Sequence, residues 1–373
     1  MNSDPTRLNL LYRISQSLNS SLDLNEVLHH VLDEVISVLR AERGFLMLKM
    51  ENGDFEFRVA RGLEQQNISD PSYQISTSII ERVKRGSKAV LISDALEDER
   101  FNTQNSVLVL RLRSILCVPL NYKGSLIGLI YVDNRLLSGA FSKDDLELLS
   151  AIADSAAIAI ENARLYENAQ TSKKRLEVAY DSTLEGWAKA LDLRDHETEG
   201  HTRRVSSLAV RLAKALHLDP NQVVAIYRGS LLHDIGKIAI PDQILHKPGP
   251  LTTEERAIMN THPRFALEML QQIDFLQTAL EIPYAHHEKW DGTGYPLGLK
   301  GFEIPLPARI FSIVDVWDAL MSDRPYRAGW SQEKVIEYLR EQSGSHFDPH
   351  IVRVFINMIL FEPLIEYADL QKG

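Results

Sequence analysis

The chain is short of three things. Cysteine occurs once in 373 residues, at Cys117, so no intramolecular disulfide can form. That fits a reducing compartment. Long apolar runs are missing, and none approaches the ~18 uninterrupted apolar residues that a membrane span needs. Positive charge is in deficit, with 41 Lys and Arg against 51 Asp and Glu and a formal net charge of -10. A protein that tracks a nucleic-acid polymer needs a basic field, so this balance argues against such a partner. A small anionic ligand is still allowed, provided a few basic residues gather locally. Met1-Asn2-Ser3-Asp4-Pro5 has no basic region followed by an apolar one, so no secretory leader is expected. The expected location is the cytoplasm, with no membrane partner.

What remains is ordinary for a soluble globular protein, at 44% hydrophobic and 25% charged residues. The length exceeds that of a typical single core, so two domains are expected. Residues 5 to 40 read as two helices. Asp23 is placed to cap the second, with Glu26 three residues on. Val27, Leu28, Val31, Leu32, Val35, Ile36 and Leu39 then keep close to the 3.6 period. Gly44 to Met50 and Phe55 to Ala60 flank Glu51-Asn52-Gly53-Asp54 and read as a hairpin. Ile79 to Lys84 is a short helix and Ala89 to Ile92 a short strand. Ser114 to Leu120 and Leu126 to Val132 are strands either side of Tyr122-Lys123-Gly124. A central antiparallel sheet flanked by helices is the simplest assembly.

This half resembles a GAF domain. The likeness rests on Arg113-Ser114-Ile115-Leu116-Cys117-Val118-Pro119-Leu120, on Gly128-Leu129-Ile130-Tyr131-Val132-Asp133-Asn134, and on a closing helix from Ser142 to Glu167. It spans residues 5 to 165 and implies an α+β sensory module. GAF domains bind varied small molecules and some bind none, so the resemblance leaves the effector unknown. The Asn-Lys…Phe…Asp-Glu pattern of the cyclic-nucleotide-binding members is absent. Cys117 reads as a buried strand cysteine sooner than as a redox or cofactor residue.

After Ser142, Leu146, Leu149, Ala153, Ala156, Ile160 and Ala163 alternate by three and four, the spacing of a coiled-coil seam. The pattern loosens at Glu167 and Gln170 and partly resumes at Leu176, Tyr180, Thr183 and Trp187. Nothing between 165 and 185 breaks a helix. A continuous signalling helix joining the halves is expected, pairing two copies in a parallel homodimer. The alternatives are packing on its own sheet, or a solvated linker in a monomer.

The second half is all-α in pattern and holds ten of the twelve histidines, all after residue 195. Several ligand-type residues punctuate its amphipathic segments. Glu197 and His201 are four apart, on one face if helical. His233-Asp234 follow the apolar run Leu231-Leu232, and His262 precedes Pro263. His286 and His287 are consecutive, followed by Glu288. Asp315 follows Ile310-Phe311-Ser312-Ile313-Val314, where an unpaired carboxylate is costly. Each alone has a bland explanation as a capping, surface or ion-paired residue. Together they form a set of imidazoles and carboxylates that suits iron, manganese or zinc better than magnesium.

At these residues the chain resembles the HD-GYP domain, a branch of the HD phosphohydrolases, over residues 180 to 365. The matching motifs are His233-Asp234-Ile235-Gly236-Lys237, Lys247-Pro248-Gly249-Pro250-Leu251-Thr252, and His286-His287-Glu288-Lys289-Trp290-Asp291-Gly292-Thr293-Gly294-Tyr295-Pro296. Arg309, Asp315, Asp318-Ala319-Leu320 and Ser322-Asp323-Arg324-Pro325-Tyr326-Arg327 follow. The resemblance implies hydrolysis of cyclic di-GMP to pGpG, and in many members onward to GMP; with two metals a hydroxide bridging them is the expected nucleophile. It implies metal ligands at His201, His233, Asp234, His262, His286, His287 and Asp315. Glu197 stands where members with three metals carry an extra glutamate. Iron is the favoured metal and manganese the second.

Asp234, with two oxygens, is the expected bridge between metals, and with Lys237 it makes the expected catalytic pair. Lys237, Tyr295, Asp318, Arg324 and Arg327 are the expected substrate contacts, with Asp318 accepting from a guanine. Glu288 is expected to orient a ligand histidine. The expected architecture is a GAF-like domain over 1–165, a linking helix over 166–185 and an HD-GYP domain over 186–373. Two other readings stay open. One is a non-catalytic adaptor whose partners are diguanylate cyclases, the GGDEF-domain proteins. The other is a phosphohydrolase for nucleotides or a related cyclic dinucleotide such as cyclic GMP-AMP.

Overall fold

The computed structural model describes residues 5–18, 20–62, 68, 75–99, 105–195, 200–323 and 328–361. The chain divides into two compact units, Met1–Arg175 and Leu176–Gly373.

The first unit opens with helices α1 (Pro5–Leu18) and α2 (Leu24–Leu39). The Asp23 carboxylate accepts from the Glu26 amide at 3.0 Å and so caps α2, as its sequence position predicts. The five-stranded antiparallel sheet runs β2-β1-β5-β4-β3 across its width. The strands are β1 (Arg43–Lys49), β2 (Phe55–Gly62), β3 (Val90–Ile92), β4 (Ser114–Tyr122) and β5 (Ser125–Asn134). Successive side chains alternate between faces. Leu46, Leu116, Val118, Ile130 and Val132 join one core with α2 and the first part of α5 (Lys143–Asp195). Phe45, Met47, Ile115, Cys117, Leu129 and Tyr131 join the other with α3 (Thr77–Gly86). A further short helix in this region, α4 (Asn105–Leu110), carried no periodic signal long enough to read from sequence. Cys117 is fully buried on its strand, and burial pushes its thiol pKa up, which leaves it inert.

The expected seam on α5 is a core face. Leu149, Ala153, Ala156, Ile160 and Ala163 are buried against the sheet and α2, with Leu146 half-buried beside them. That stretch is therefore consumed by its own unit and cannot pair with a second copy. The helix itself is continuous over 53 residues, as the lack of breakers predicts.

The second unit is helical. Its elements are α6 (His201–Ala215), α7 (Pro220–Leu231), α8 (Asp242–Leu245), α9 (Thr253–Met259), α10 (His262–Leu270), α11 (Glu281–Ala285), α12 (Leu306–Met321), α13 (Gln332–Glu341) and α14 (Pro349–Phe361). Asp219 caps α7 and Thr252 caps α9, each in a capping box. The main core joins α6, α12, α13 and α14 through Leu208, Leu212, Phe311, Trp317, Leu339 and Phe355. A smaller cluster joins Leu184 and Ala188 of α5 to Leu231, Leu232, Ile235, Ala266 and Leu270. It pins the residues on both sides of His233-Asp234. No helix among the described residues is long and apolar enough to cross a membrane.

Candidate metal centre

Four helix boundaries and one helix interior deliver the polar residues to one place. His201 opens α6, and His262 opens α10. His233 and Asp234 lie between α7 and the 3-10 turn Ile235–Ala239, while His286 and His287 follow α11. Asp315 comes from within α12. Helix ends suit this task because their backbone groups are left open and their side chains converge without clash. Two glycines make the approach possible. A Cβ on Gly236 would collide with the His262 carbonyl, so only glycine lets the His-Asp turn lie on the start of α10. A Cβ on Gly294 would overlap Glu288 Cα at 2.5 Å and the His287 carbonyl at 2.6 Å. The glycine of Gly294-Tyr295-Pro296 thus seats its loop on the two-histidine segment.

One donor atom from each of Asp234, His262, His286 and His287 lies within 4.8 Å of the others, and so do those of His201, His233 and Asp315. The rings are near neighbours. Centroids are 5.6 Å apart for His201 and His233, 5.5 Å for His233 and His286, and 3.9 Å for His286 and His287.

Hydrogen bonds on the far nitrogens fix the tautomers. A carbonyl oxygen can only accept, so a ring nitrogen bonded to one must carry its proton. Nδ1 donates to the Ser230 carbonyl from His233 (2.9 Å), to Met259 from His262 (2.9 Å) and to Ile282 from His286 (3.0 Å). Nδ1 of His201 donates to the Asp318 carboxylate at 2.7 Å. In a neutral ring the Nε2 lone pair then faces inward, the arrangement of a metal-binding histidine.

Charge supports neutrality. Burial lowers the His262 pKa to about 4 and holds His287 well below the usual imidazole range, with neighbouring imidazoles adding to the effect. At neutral pH, Nε2 of His262 therefore presents a lone pair to Asp234 Oδ1 at 3.3 Å. Nε2 of His286 stands 3.7 Å from the same oxygen. All three atoms are buried and have no hydrogen-bond partner. Acceptor faces acceptor, which is costly in a buried setting unless a cation lies between. The donor set therefore fits a divalent metal of the imidazole-binding kind. The second Asp234 oxygen faces the other group, with Oδ2 3.1 Å from Nε2 of His233. The two oxygens are thus divided between the two groups. Burial raises the Asp234 pKa, but the Lys237 ammonium 2.7 Å away and the neighbouring histidines together outweigh it and hold the carboxyl well below the usual range.

Two expectations are overturned. Asp318 does not face a place where a guanine could sit. It is 1% exposed, and its oxygens take His201 Nδ1 and, at 2.7 and 2.8 Å, the Arg204 guanidinium. It supports a histidine instead. The sequence signal was available, because Asp318 lies one turn beyond Asp315 in the same apolar helix. Glu288 does not orient a histidine. It is buried and accepts from the backbone amides of Leu297, Gly298 and Leu299 at 2.7, 3.1 and 3.0 Å, so it ties down the loop after Tyr295. Lys237 sits at the cluster as expected, held also by Asp195 Oδ2 at 2.6 Å. Tyr295 is half-buried with its ring 4.7 Å from that of His287, bordering the cluster. Glu197, Arg324 and Arg327 lie outside the described residues.

Sequence reasoning missed the end of α5. Arg194 donates to the carbonyls of Ile238 and Ile240 and to Asp242, and with Asp195 it grips the segment that follows Asp234. Asp192 accepts from Thr202 beside His201 at 2.6 Å. The last turn of the long helix therefore holds both histidine-bearing loops.

Both halves of the chain resemble known proteins. The family model for the GAF domain matches residues 23–160, and that for the HD domain matches residues 187–351. The chain is 39% identical over 230 residues to the 3'3'-cGAMP-specific phosphodiesterase 2 of Vibrio cholerae, covering 60% of this chain and 43% of that protein. It is 43% identical over 183 residues to the cyclic di-GMP phosphodiesterase response regulator RpfG of Xanthomonas campestris pv. campestris, covering 48% of each. It is 36% identical over 214 residues to a cyclic di-GMP phosphodiesterase of Vibrio cholerae, covering 53% of this chain and 44% of that protein. The chain spans about half the length of the curated relatives it matches. With both models matched in order, the chain carries a GAF domain followed by an HD domain, and Gly294-Tyr295-Pro296 lies in the loop after its paired histidines.

Proposed function

We propose that this chain is a metal-dependent phosphodiesterase that opens a cyclic dinucleotide, with its GAF domain as the regulatory part. The observation that carries the reading is the buried meeting of Asp234 Oδ1 with the lone pairs of His262 and His286. In this reading His201, His233, Asp234, His262, His286, His287 and Asp315 hold two divalent ions, iron first and manganese second. Glu197 makes a third ion available. The domains are the GAF domain over 1–165, the linking helix over 166–185 and the HD-GYP domain over 186–373.

A divalent ion supplies a lowered water pKa and neutralises phosphoryl oxygens. The protein does the rest. Backbone carbonyls and Asp318 keep the ring nitrogens aimed inward. Asp234 stays ionised because Lys237 lies beside it. The Lys237 ammonium is placed to hold a non-bridging phosphate oxygen as a point charge. Tyr295, packed on His287, forms a wall of the substrate site, and Arg324 and Arg327 clamp the second phosphate or the guanine edges.

Cyclic di-GMP is the proposed substrate, with pGpG and then GMP as products. A second reading is favoured by a specific observation, since the relatives are named for two substrates. Cyclic GMP-AMP is therefore the alternative. The adaptor reading, with GGDEF-domain proteins as partners, is disfavoured because the described ligand positions are all filled by ligating residues. The test is to purify the protein without oxygen, measure its iron and manganese, and incubate it with each dinucleotide while resolving products by chromatography. Linear pGpG or GMP is expected from cyclic di-GMP. No turnover of cyclic di-GMP at full metal occupancy contradicts the proposal, and preferential turnover of cyclic GMP-AMP selects the alternative.

A further inference from the structure

The last turn of α5 holds two acids, Asp192 and Asp195, where a helix least favours them. The C-terminal end of a helix is the negative pole of its dipole, and a carboxylate there is repelled. The position of Asp195 adds a second cost. Leu184, Ala188 and Leu191 follow one another by four and three and are all buried, and Asp195 is the next step of four on that stripe. An apolar stripe therefore ends in a carboxylate that points into the protein, with its side chain 9% exposed. A carboxylate so placed needs donors. Asp192 is answered by the Thr202 hydroxyl and Asp195 by Lys237.

The Lys237 ammonium stands 2.6 Å from Asp195 Oδ2 and 2.7 Å from Asp234 Oδ2. It thus lies between a carboxylate of the metal centre and one that belongs to neither ligand group. Arg194, the residue before, fixes the backbone at the same place. It donates to the carbonyls of Ile238 and Ile240, the latter at 3.0 Å, and pairs with Asp242 at 2.8 Å. Adjacent residues of one turn therefore hold the side chain of Lys237 and the main chain that follows it. The side chain needs this second anchor. A divalent ion bound to Asp234 engages the charge of that carboxylate and repels an ammonium beside it. A lysine is a point charge on a flexible stem, so without Asp195 the ammonium would swing away from the ions.

We propose that Asp195 is a positioning residue, which keeps the Lys237 ammonium at the metal centre when ions occupy it. The role rests on the phosphodiesterase reading, in which Lys237 holds a phosphate oxygen. Asp195 acts through the lysine and touches neither phosphate nor ion, so its effect on the reaction disappears when the lysine is removed. Its charge is what matters. An asparagine has the same shape but does not offset the repulsion between the ammonium and the ions.

A cycle of four full-length proteins tests it: the unsubstituted chain, Asp195→Asn, Lys237→Ala and the double variant. Each is loaded with manganous ion, its bound metal is measured, and its rates are taken with cyclic di-GMP and with bis(p-nitrophenyl) phosphate, a simple phosphodiester. Asp195→Asn is expected to lower kcat roughly 10–100-fold with bound metal unchanged. In the Lys237→Ala background the same substitution is expected to change kcat by less than about twofold, because the two residues act as one unit. A merely structural role lowers kcat alike in both backgrounds, and that result overturns the proposal. So does an unchanged kcat, or loss of bound metal from Asp195→Asn. Urea midpoints of the four metal-free proteins give a readout that needs no reaction, and the two substitutions are expected to be non-additive there. Additive midpoints in an active enzyme overturn the proposal alone. An unsubstituted chain that cleaves neither substrate removes the phosphodiesterase reading, and the role of Asp195 with it, even where the midpoints are non-additive.

Discussion

Asp133 and Asp234 are both buried carboxylates, one in each unit, and they are built to opposite ends. Asp133 is fully buried and sits across from Arg43 in the β1–β5 register. The guanidinium meets it with two bonds, Nε to Oδ1 at 2.8 Å and Nη2 to Oδ2 at 2.6 Å. Donor faces acceptor, and both oxygens are used. Burial still raises the Asp133 pKa against the pull of Arg43, so the pair reports a structural tie inside a crowded sheet. Asp234 has a lysine on one oxygen and two imidazole lone pairs facing the other. A carboxylate closed by donors is complete as protein alone. One closed by acceptors needs a cation. Burial does not separate these roles, because both are buried. The tautomers of the neighbouring histidines do, and these follow from which backbone carbonyls their Nδ1 atoms reach.

The sharpest way to break this contrast is a matched pair of substitutions. Asp234→Asn is expected to abolish turnover and strip the bound metal while leaving the first unit's unfolding transition in place. Asp133→Asn is expected to do the reverse. It leaves turnover and metal content intact and costs the first unit ~3–5 kcal/mol, as breaking a buried pair does. Urea unfolding followed on each variant, with metal analysis alongside, reads both halves. Loss of metal from Asp133→Asn would erase the distinction.

A smaller effect is expected one shell out. Asp318→Asn keeps the hydrogen bond to His201 but removes the charge that also holds Arg204, and it is expected to weaken metal binding ~10–100-fold. Competition with a chelator of known affinity measures this. An unchanged affinity would return Asp318 to the substrate role first assigned to it.

Next in size is a dependence on pH. The folded pKa of His262 is lowered by burial from 6.5 to about 4, and that of His287 is lowered as well. The unfolded chain takes up these protons first. Between pH 6.5 and about 4, the stability of the metal-free second unit therefore falls as pH falls. The slope is at most ~1.4 kcal/mol per pH unit for each such histidine. Urea midpoints of metal-free protein at pH 7 and pH 5 check the sign, and a midpoint that rises on acidification contradicts it.

The smallest effect belongs to the loop. Glu288→Gln loses charge-assisted bonds to three backbone amides, and a KM increase of roughly three- to ten-fold is expected with metal content unchanged. Initial rates over a range of substrate concentrations would show it, and a fall in bound metal instead would place Glu288 in the metal support.

These cases also show what a sequence can carry. The period of apolar residues foretold α2, both hairpin strands and the helical character of the second unit, because burial on one face imposes that period. Residue type and spacing picked out His201, His233, Asp234, His262, His286, His287 and Asp315, since few roles require imidazoles and acids at successive helix ends. Partner choice was another matter. Asp318 and His201 are 117 residues apart, and the need of a carboxylate in an apolar helix for a partner does not say which partner. Glu288 found backbone amides, which have no sequence identity to read. The seam spacing on α5 is a similar case, because Leu149 to Ala163 keep it and packing against the sheet makes that face core.

The central claim is that Asp234 completes a metal centre where Asp133 completes a salt bridge. Metal content per chain tests it most directly, measured after loading with ferrous or manganous ion under anaerobic conditions and desalting. The account predicts at least two ions per chain for the unsubstituted protein and for Asp133→Asn, with loss of the bound ions from Asp234→Asn. An unsubstituted chain that retains no metal, or an Asp234→Asn variant that retains its full complement, would contradict it.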